Sequence, residues 1–140
     1  MTGCLDRFRE LEDPALAIEA LEPRVPAQER LDEGRIAIAA LSVGVAQGCV
    51  DESVRYAKER SAFGRPIGKY QAIEFKLARM QVRAQAARTA YYDAAALMLA
   101  GKPFKTEAAV AKLVASEAAM DNARDATQIH GGYGFMNEYA

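Results

Sequence analysis

The sequence predicts an all-α fold, an antiparallel up-and-down helical bundle with three long helices. Apolar residues recur at steps of three and four through three long stretches, which is the spacing of one buried helix face. Glycine and proline separate these stretches, and no strand-like alternation persists beyond four residues. Bundles of this kind usually have four helices. With the fourth helix missing, we expect one groove to lie open, or to be filled by residues 1–30, by another chain or by residues that this sequence lacks.

The composition is that of one soluble globular domain. Of the 140 residues, 51% are hydrophobic and 26% are charged, and the formal net charge is −1. That balance gives no general attraction to nucleic acid or to anionic membranes, and no apolar run approaches membrane-spanning length. Cys4 and Cys49 are too far apart for a metal-binding motif. We therefore expect no metal site, and reduced thiols indicate a cytoplasmic protein.

The first 30 residues are the part of the chain that the pattern defines least. Pro14 interrupts a set of apolar residues, and Pro23 and Pro26 favour an extended passage because proline disfavours helix at its own position and one before. We interpret residues 1–30 as a lead-in segment of uncertain structure. The helical domain is predicted to occupy residues 31–140 and to be incomplete at its C-terminus.

The first long helix is predicted to begin at or near Asp32, an N-cap residue whose carboxylate can accept free amide protons. Gly64 and Pro66 should end it. Its predicted buried stripe consists of Ile36, Ala39, Ala40, Val43, Ala46, Val50, Val54 and Ala57.

The other two helices are bounded by similar signals. The second should run from about Gln71 to Ala100, where Gly101 suits a left-handed C-terminal position. The third should open around Glu107 and continue to about Ile129. The predicted stripe of the second helix is Ile73, Leu77, Met80, Ala84, Ala87, Tyr91 and Met98. That of the third is Val110, Leu113, Val114, Ala118, Ala123 and Ala126.

Two bends carry the strongest candidates for chemistry. Arg60 either ends a helix in the ordinary way, with Phe63 plugging the core, or presents its fork to a phosphate or pyrophosphate. The run QIHGGYG at 128–134 is either a flexible helix end or a place where glycines let a ligand approach the backbone and its amide donors. The residues alone leave both alternatives open.

The remaining polar candidates have simpler explanations. Asp32 and Arg35 are either a cap beside a solvated cation or a pair that faces a polar ligand. His130, the only histidine, has no recognisable catalytic partner and is interpreted as a helix-end residue. A basic stripe on the second helix, formed by Lys76, Arg79 and Arg83, is expected to be a solvated face.

Taken together, these motifs resemble the C-terminal helical domain of the acyl-CoA dehydrogenase family, with the short-chain type nearest. The resemblance covers roughly Leu31 to Tyr139, and its order and spacing are more specific than any single motif. It is carried by LDEGRIAIAALSVGVAQ (31–47), YAKERSAFGRPI (56–67), YQAIEFKLARM (70–80), EAAVAKLVASEAA (107–119) and QIHGGYGF (128–135).

This resemblance implies a homo-oligomeric flavoenzyme, a dimer of dimers that removes two hydrogens from an acyl-CoA thioester and passes electrons to electron-transfer flavoprotein. The positions matching the family's FAD contacts are Arg60, Gln71, Gln128, Ile129, His130, Gly131 and Gly132. Those matching its acyl-CoA contacts are Asp32, Glu33, Gly34 and Arg35. In the family, the FAD contacts reach the cofactor of the neighbouring subunit.

The same resemblance implies that no catalytic residue lies in this chain. The family's usual glutamate would fall beyond Ala140, and the alternative position matches Gly34. We therefore expect the 140-residue chain alone to be inactive, as part of an FAD-dependent acyl-CoA dehydrogenase. The alternative is a non-catalytic helical interaction module that self-associates through its open groove.

Overall fold

A computed structural model describes residues 27–136 and confirms the all-α prediction. Three long helices follow one another, α1 (Ala27–Glu59), α2 (Gln71–Leu99) and α3 (Lys105–His130). Short 3-10 turns cover Ile67–Lys69 and Gly131–Phe135. The chain divides into two units at Arg30 and Leu31. The predicted lead-in segment comprises residues 1–30, and its residues 1–26 lie outside the described part of the chain.

The predicted start of the first helix was wrong. Because α1 spans Ala27–Glu59, Asp32 lies inside the helix, where it is buried, and cannot act as its N-cap. The physical reason is that Pro26 is the last proline before a run of good helix formers, so nothing delays the helix to Asp32. The predicted bounds of α2 and α3 agree with the structure to within about two residues.

A small β-ribbon was not predicted. The two-residue strands β1 (Ser61–Ala62) and β2 (Arg65–Pro66) pair in antiparallel register between α1 and α2. Phe63 and Gly64 make the turn, and both have positive φ, at 49° and 83°. Strands of two residues are too short for an alternating pattern, so no local signal predicted them.

The core is built mainly from alanine. The main cluster joins all three helices through small side chains, so the helices can approach closely. Its fully buried alanines are Ala39, Ala46, Ala84, Ala87, Ala94, Ala108, Ala111 and Ala115. A second cluster gathers Val50, Tyr56, Met80 and Ile129 near the end of α1.

A polar network also ties the helices together, so the interpretation of the basic stripe as a solvated face was wrong for Lys76 and Arg83, while Arg79 is exposed. Lys76 and Arg83 on α2 both pair with Asp125 on α3, each at 2.7 Å. The guanidinium of Arg83 also donates to the side-chain oxygen of Asn122 at 2.8 Å. The amide nitrogen of Asn122 donates to the carbonyls of Ala46 at 3.1 Å and Met80 at 3.0 Å. Asn122 therefore links all three helices.

Several large apolar side chains face outward. Val110 and Leu113 were placed on the buried stripe of α3, but they are 50% and 56% exposed because alanines occupy the close contacts of that helix. Ala40 is also exposed. A groove of about 400 Å³ lies between α1 and α3, lined in part by Val45, Ala123 and Ala126.

By length and composition alone, α1 is long and apolar enough to cross a membrane, with a mean hydropathy of 1.2 in its most apolar window. The sequence had predicted no such run. Part of this apolar content lies in the core, since 33% of the window is buried and Ile36, Ala39, Val43 and Ala46 belong to the cluster shared with α2 and α3. A core helix of a bundle satisfies the same length and composition criteria.

Candidate functional site

The end of α1 and the bend after α3 meet around one open cavity. Its volume is about 570 Å³, and it contains the arginine of the first bend and the glycines of the second. The lining residues are Tyr56, Arg60, Ile67, Ile129, His130, Gly131, Gly132, Tyr133 and Met136. The fold thus brings together two bends that are about 70 residues apart in the sequence.

An aromatic stack joins the two sides of the cavity. The rings of Tyr56 on α1 and His130 on α3 are stacked, with centroids 4.3 Å apart and an interplanar angle of 25°. The Tyr133 ring is tilted against Tyr56 at 6.5 Å. The guanidinium carbon of Arg60 lies 5.5 Å from the Tyr133 centroid, within the range of a cation–π contact. Arg60 is therefore positioned over the cavity by an aromatic surface.

Gly131 gives the second bend its shape. Its φ of 60° and ψ of −131° form a conformation that side chains other than glycine rarely adopt. Its N–H donates to the carbonyl of Thr127, so the amide of Gly131 is already engaged and does not serve as a ligand donor. Of the two predicted roles of the glycine run, Gly131 can therefore provide close approach to the backbone but not an amide donor. Neither Gly131 nor Gly132 has atoms near its missing Cβ, which leaves room for a ligand at the backbone.

The β-ribbon holds the first bend in place. The N–H of Ile67 donates to the carbonyl of Arg60 at 2.8 Å, and the Tyr70 hydroxyl donates to the carbonyl of Ala62 at 2.8 Å. Arg65 lies over the Tyr70 ring at 4.1 Å. Phe63 does not plug the core: it is 98% exposed at the tip of the ribbon, because the turn directs it away from the helices.

The structure brings together five of the seven predicted cofactor residues. Arg60, Ile129, His130, Gly131 and Gly132 all line the cavity. The other two are exposed and lie outside its lining. Gln71 is the first residue of α2, and Gln128 precedes the buried Ile129 on α3.

The predicted substrate residues Asp32, Glu33, Gly34 and Arg35 lie near the opposite end of α1. At a rise of about 1.5 Å per residue, the helix separates them from Arg60 by roughly 40 Å. The Arg35 guanidinium donates to the carboxylate of Asp32, one turn away. Asp32 is 4% exposed and Glu33 is exposed. One copy of this chain therefore does not gather the two predicted sets around one point.

The lining is suited to anion binding. Arg60 supplies a permanent positive charge, and among residues 27–136 no carboxylate lines the cavity. The Nδ1 atom of His130 lies 2.9 Å from the carbonyl of Ala126, which only accepts, so Nδ1 carries a proton. Among residues 27–136, no group of histidine, cysteine and acidic side chains could hold a metal ion.

Sequence reasoning missed two aromatic members of the site. Tyr56 is one helical turn before Arg60, and Tyr133 lies within the glycine-rich run. The positions of these two tyrosines in the sequence did not indicate that they contact each other or Arg60. Only the meeting of α1 with the bend after α3 makes them neighbours.

Residues 26–140 match the family described as acyl-CoA dehydrogenase, C-terminal domain. This chain belongs to the acyl-CoA dehydrogenase family. The structure is similar to butyryl-CoA dehydrogenase from Megasphaera elsdenii, with a TM-score of 0.80 and 46% identity, over 81% of this chain and 30% of that one. It is also similar to a structure of PigA with FAD and proline, with a TM-score of 0.76 and 28% identity, over 79% of this chain and 29% of that one.

A sequence relative in the acyl-CoA dehydrogenase family is the caffeyl-CoA reductase-Etf complex subunit CarC of Acetobacterium woodii. It is 47% identical over 113 residues, which are 81% of this chain and 30% of that protein. The chain thus spans about 30% of the length of the relatives that it matches.

Proposed function

We propose that this chain is the flavin-binding and subunit-contacting part of an FAD-dependent acyl-CoA dehydrogenase, which performs α,β-dehydrogenation of an acyl-CoA thioester. One observation carries the proposal: Arg60, which follows α1, and the Gly131–Gly132 bend, which follows α3, line the same open cavity. Membership of the acyl-CoA dehydrogenase family supplies the reaction class.

The residues of the cavity fit an anionic dinucleotide. The Arg60 guanidinium can form paired hydrogen bonds with a diphosphate, and the missing side chains of Gly131 and Gly132 leave space for it. Tyr56, Tyr133 and Ile129 provide apolar walls. The open cavity of about 570 Å³ would hold only part of an FAD. When bound, FAD supplies the acceptor for the hydride removed from the acyl chain.

A second copy of the chain is expected to complete the site. Arg60 and the Asp32–Arg35 segment are roughly 40 Å apart along α1, so one copy cannot place both against one reacting centre. Exposed Phe63 at the ribbon tip is available for contact with a neighbour. We extend the proposal to a homo-oligomer in which Gln71 and Gln128 also face FAD and residues 32–35 contact acyl-CoA. Electron-transfer flavoprotein is the proposed electron acceptor, supported by the Etf complex in the name of the Acetobacterium relative.

Among residues 27–136, no carboxylate lines the cavity, so the described lining offers no carboxylate base for the α-proton. We therefore expect the 140-residue chain to bind FAD without oxidising butyryl-CoA when an artificial electron acceptor is supplied. Turnover by the pure chain would contradict this part of the proposal.

Flavin titration of the 140-residue chain tests the proposal. FAD fluorescence should change on binding, and Arg60→Ala should weaken binding about tenfold, because charge-assisted hydrogen bonds to the diphosphate are lost. Arg60→Lys should give an intermediate affinity, since it keeps the charge but not the fork. Arg65→Ala is the matched control, as it removes the same charge from the same bend at a position outside the cavity. Its affinity should stay within about twofold of the original chain.

The alternative of a non-catalytic interaction module is favoured by the exposed apolar side chains. Leu41 on α1 and Met120 on α3 are each 66% exposed. This alternative predicts self-association without FAD binding and no effect of Arg60→Ala. Sedimentation measured beside the titration separates the two functions, because equal FAD affinities of Arg60→Ala and the original chain would overturn the flavin proposal.

A further inference from the structure

We infer that Tyr56 is a positioning residue that holds the His130–Gly132 bend against Arg60 and so sets the shape of the proposed FAD site. This inference rests on the proposed function, but its structural part can be tested without a ligand. Tyr56 is 8% exposed and belongs to the core cluster at this end of the bundle. It also lines the cavity, so its ring contributes to both the core and the site.

Among the described residues, both ring contacts and a hydrogen bond connect Tyr56 to the bend. Its ring stacks on His130 with centroids 4.3 Å apart, and it lies 6.5 Å from the Tyr133 ring. Its hydroxyl donates to the carbonyl of His130 at 3.5 Å, which is a long hydrogen bond. The stack is therefore the principal connection, and the hydroxyl adds little to it.

The same residue is connected directly to Arg60. The N–H of Arg60 donates to the carbonyl of Tyr56 at 2.8 Å, so Arg60 is bonded directly to the last turn of α1, which contains Tyr56. On the other side, the Nδ1–H of His130 donates to Ala126, which fixes the imidazole on α3. With both ends fixed, the Tyr56–His130 stack determines the separation between the guanidinium and the glycine bend.

Two substitutions separate the roles of the ring and the hydroxyl. Tyr56→Phe keeps the stack, so FAD affinity should stay within about twofold of that of the original chain. Tyr56→Leu removes the stack and should weaken FAD binding about fivefold. Tyr92→Leu is the matched control, because Tyr92 is also paired with a tyrosine, is 57% exposed and lies on α2 outside the cavity. It should leave the affinity unchanged.

His130 provides a readout that does not depend on FAD, since it is the only histidine in the chain. Stacking should shift its ring-proton NMR signals upfield in the original chain and in Tyr56→Phe. In Tyr56→Leu they should return towards the ordinary position, while circular dichroism shows that the helices persist. Should Tyr56→Leu not fold, nuclear Overhauser contacts between the two rings in the original chain report the stack directly.

Each result decides a different point. Unshifted His130 signals and missing ring contacts in the original chain would overturn the positioning role, whatever FAD does. If the His130 signals return towards their ordinary position in Tyr56→Leu while its FAD affinity is unchanged, the stack does not set the shape of the cofactor site. Absence of FAD binding in the original chain would overturn the flavin function and with it the role of Tyr56 in that site. The NMR result would still decide whether the stack fixes the bend.

Discussion

Asn122→Asp is expected to lower the free energy of unfolding by about 3 kcal/mol at pH 8. Asn122 is completely buried, and its amide nitrogen donates to the carbonyls of Ala46 and Met80. A carboxylate has nearly the same shape but cannot donate, so it would place a negative charge against two carbonyl oxygens. The bond from Arg83 would offset only part of this cost.

Urea unfolding followed by circular dichroism measures the effect. Gln81→Glu is the matched control, because it makes the same amide-to-carboxylate change at an exposed position of α2. The control should change the free energy of unfolding by less than about 0.5 kcal/mol. An Asn122→Asp chain as stable as the original would show that this side chain does not link the three helices.

Asp125→Asn is expected to cost about 2 kcal/mol at pH 7 and to weaken the dependence of stability on acid. Burial acts to raise the pKa of Asp125, but hydrogen bonds and charges from Lys76 and Arg83 outweigh it and hold the pKa below its ordinary value. A carboxyl group with a lowered folded-state pKa stabilises the fold above its unfolded-state pKa of about 4. That contribution is lost as the pH falls through the folded-state pKa.

Unfolding measured between pH 7 and pH 2.5 tests this expectation. The original chain should lose stability below about pH 4, and Asp125→Asn should lose less over the same interval, because it lacks the titrating group. Asp121→Asn is the control, since its ion pair with Arg124 is exposed and worth less than about 1 kcal/mol. Parallel acid profiles for Asp125→Asn and the original chain would contradict the proposed role of this ion pair.

The three helices and the family could be predicted from the sequence. The helices follow local apolar repeats, and the family resemblance depends on the order and spacing of short motifs. Gly101 adopts the positive φ that was predicted to end the second helix, and the three long helices follow the apolar repeats. Local patterns were less informative where packing decided the outcome. Val110 and Leu113 satisfied the helical spacing, yet alanines occupy the close helix contacts and leave these larger side chains outside.

Only part of the candidate site could be predicted from the sequence. The sequence by itself determined which bends carry an arginine, a histidine and glycines, because turn-forming residues can be recognised in a short stretch of sequence. Only the tertiary structure decided that Arg60 and Gly131 share a cavity, that Tyr56 stacks between the bends, and that residues 32–35 lie at the far end of α1. It also paired Lys76 and Arg83 with Asp125. The physical reason is that these relations depend on the relative positions of separate helices, which are set by close packing of small side chains rather than by any local pattern.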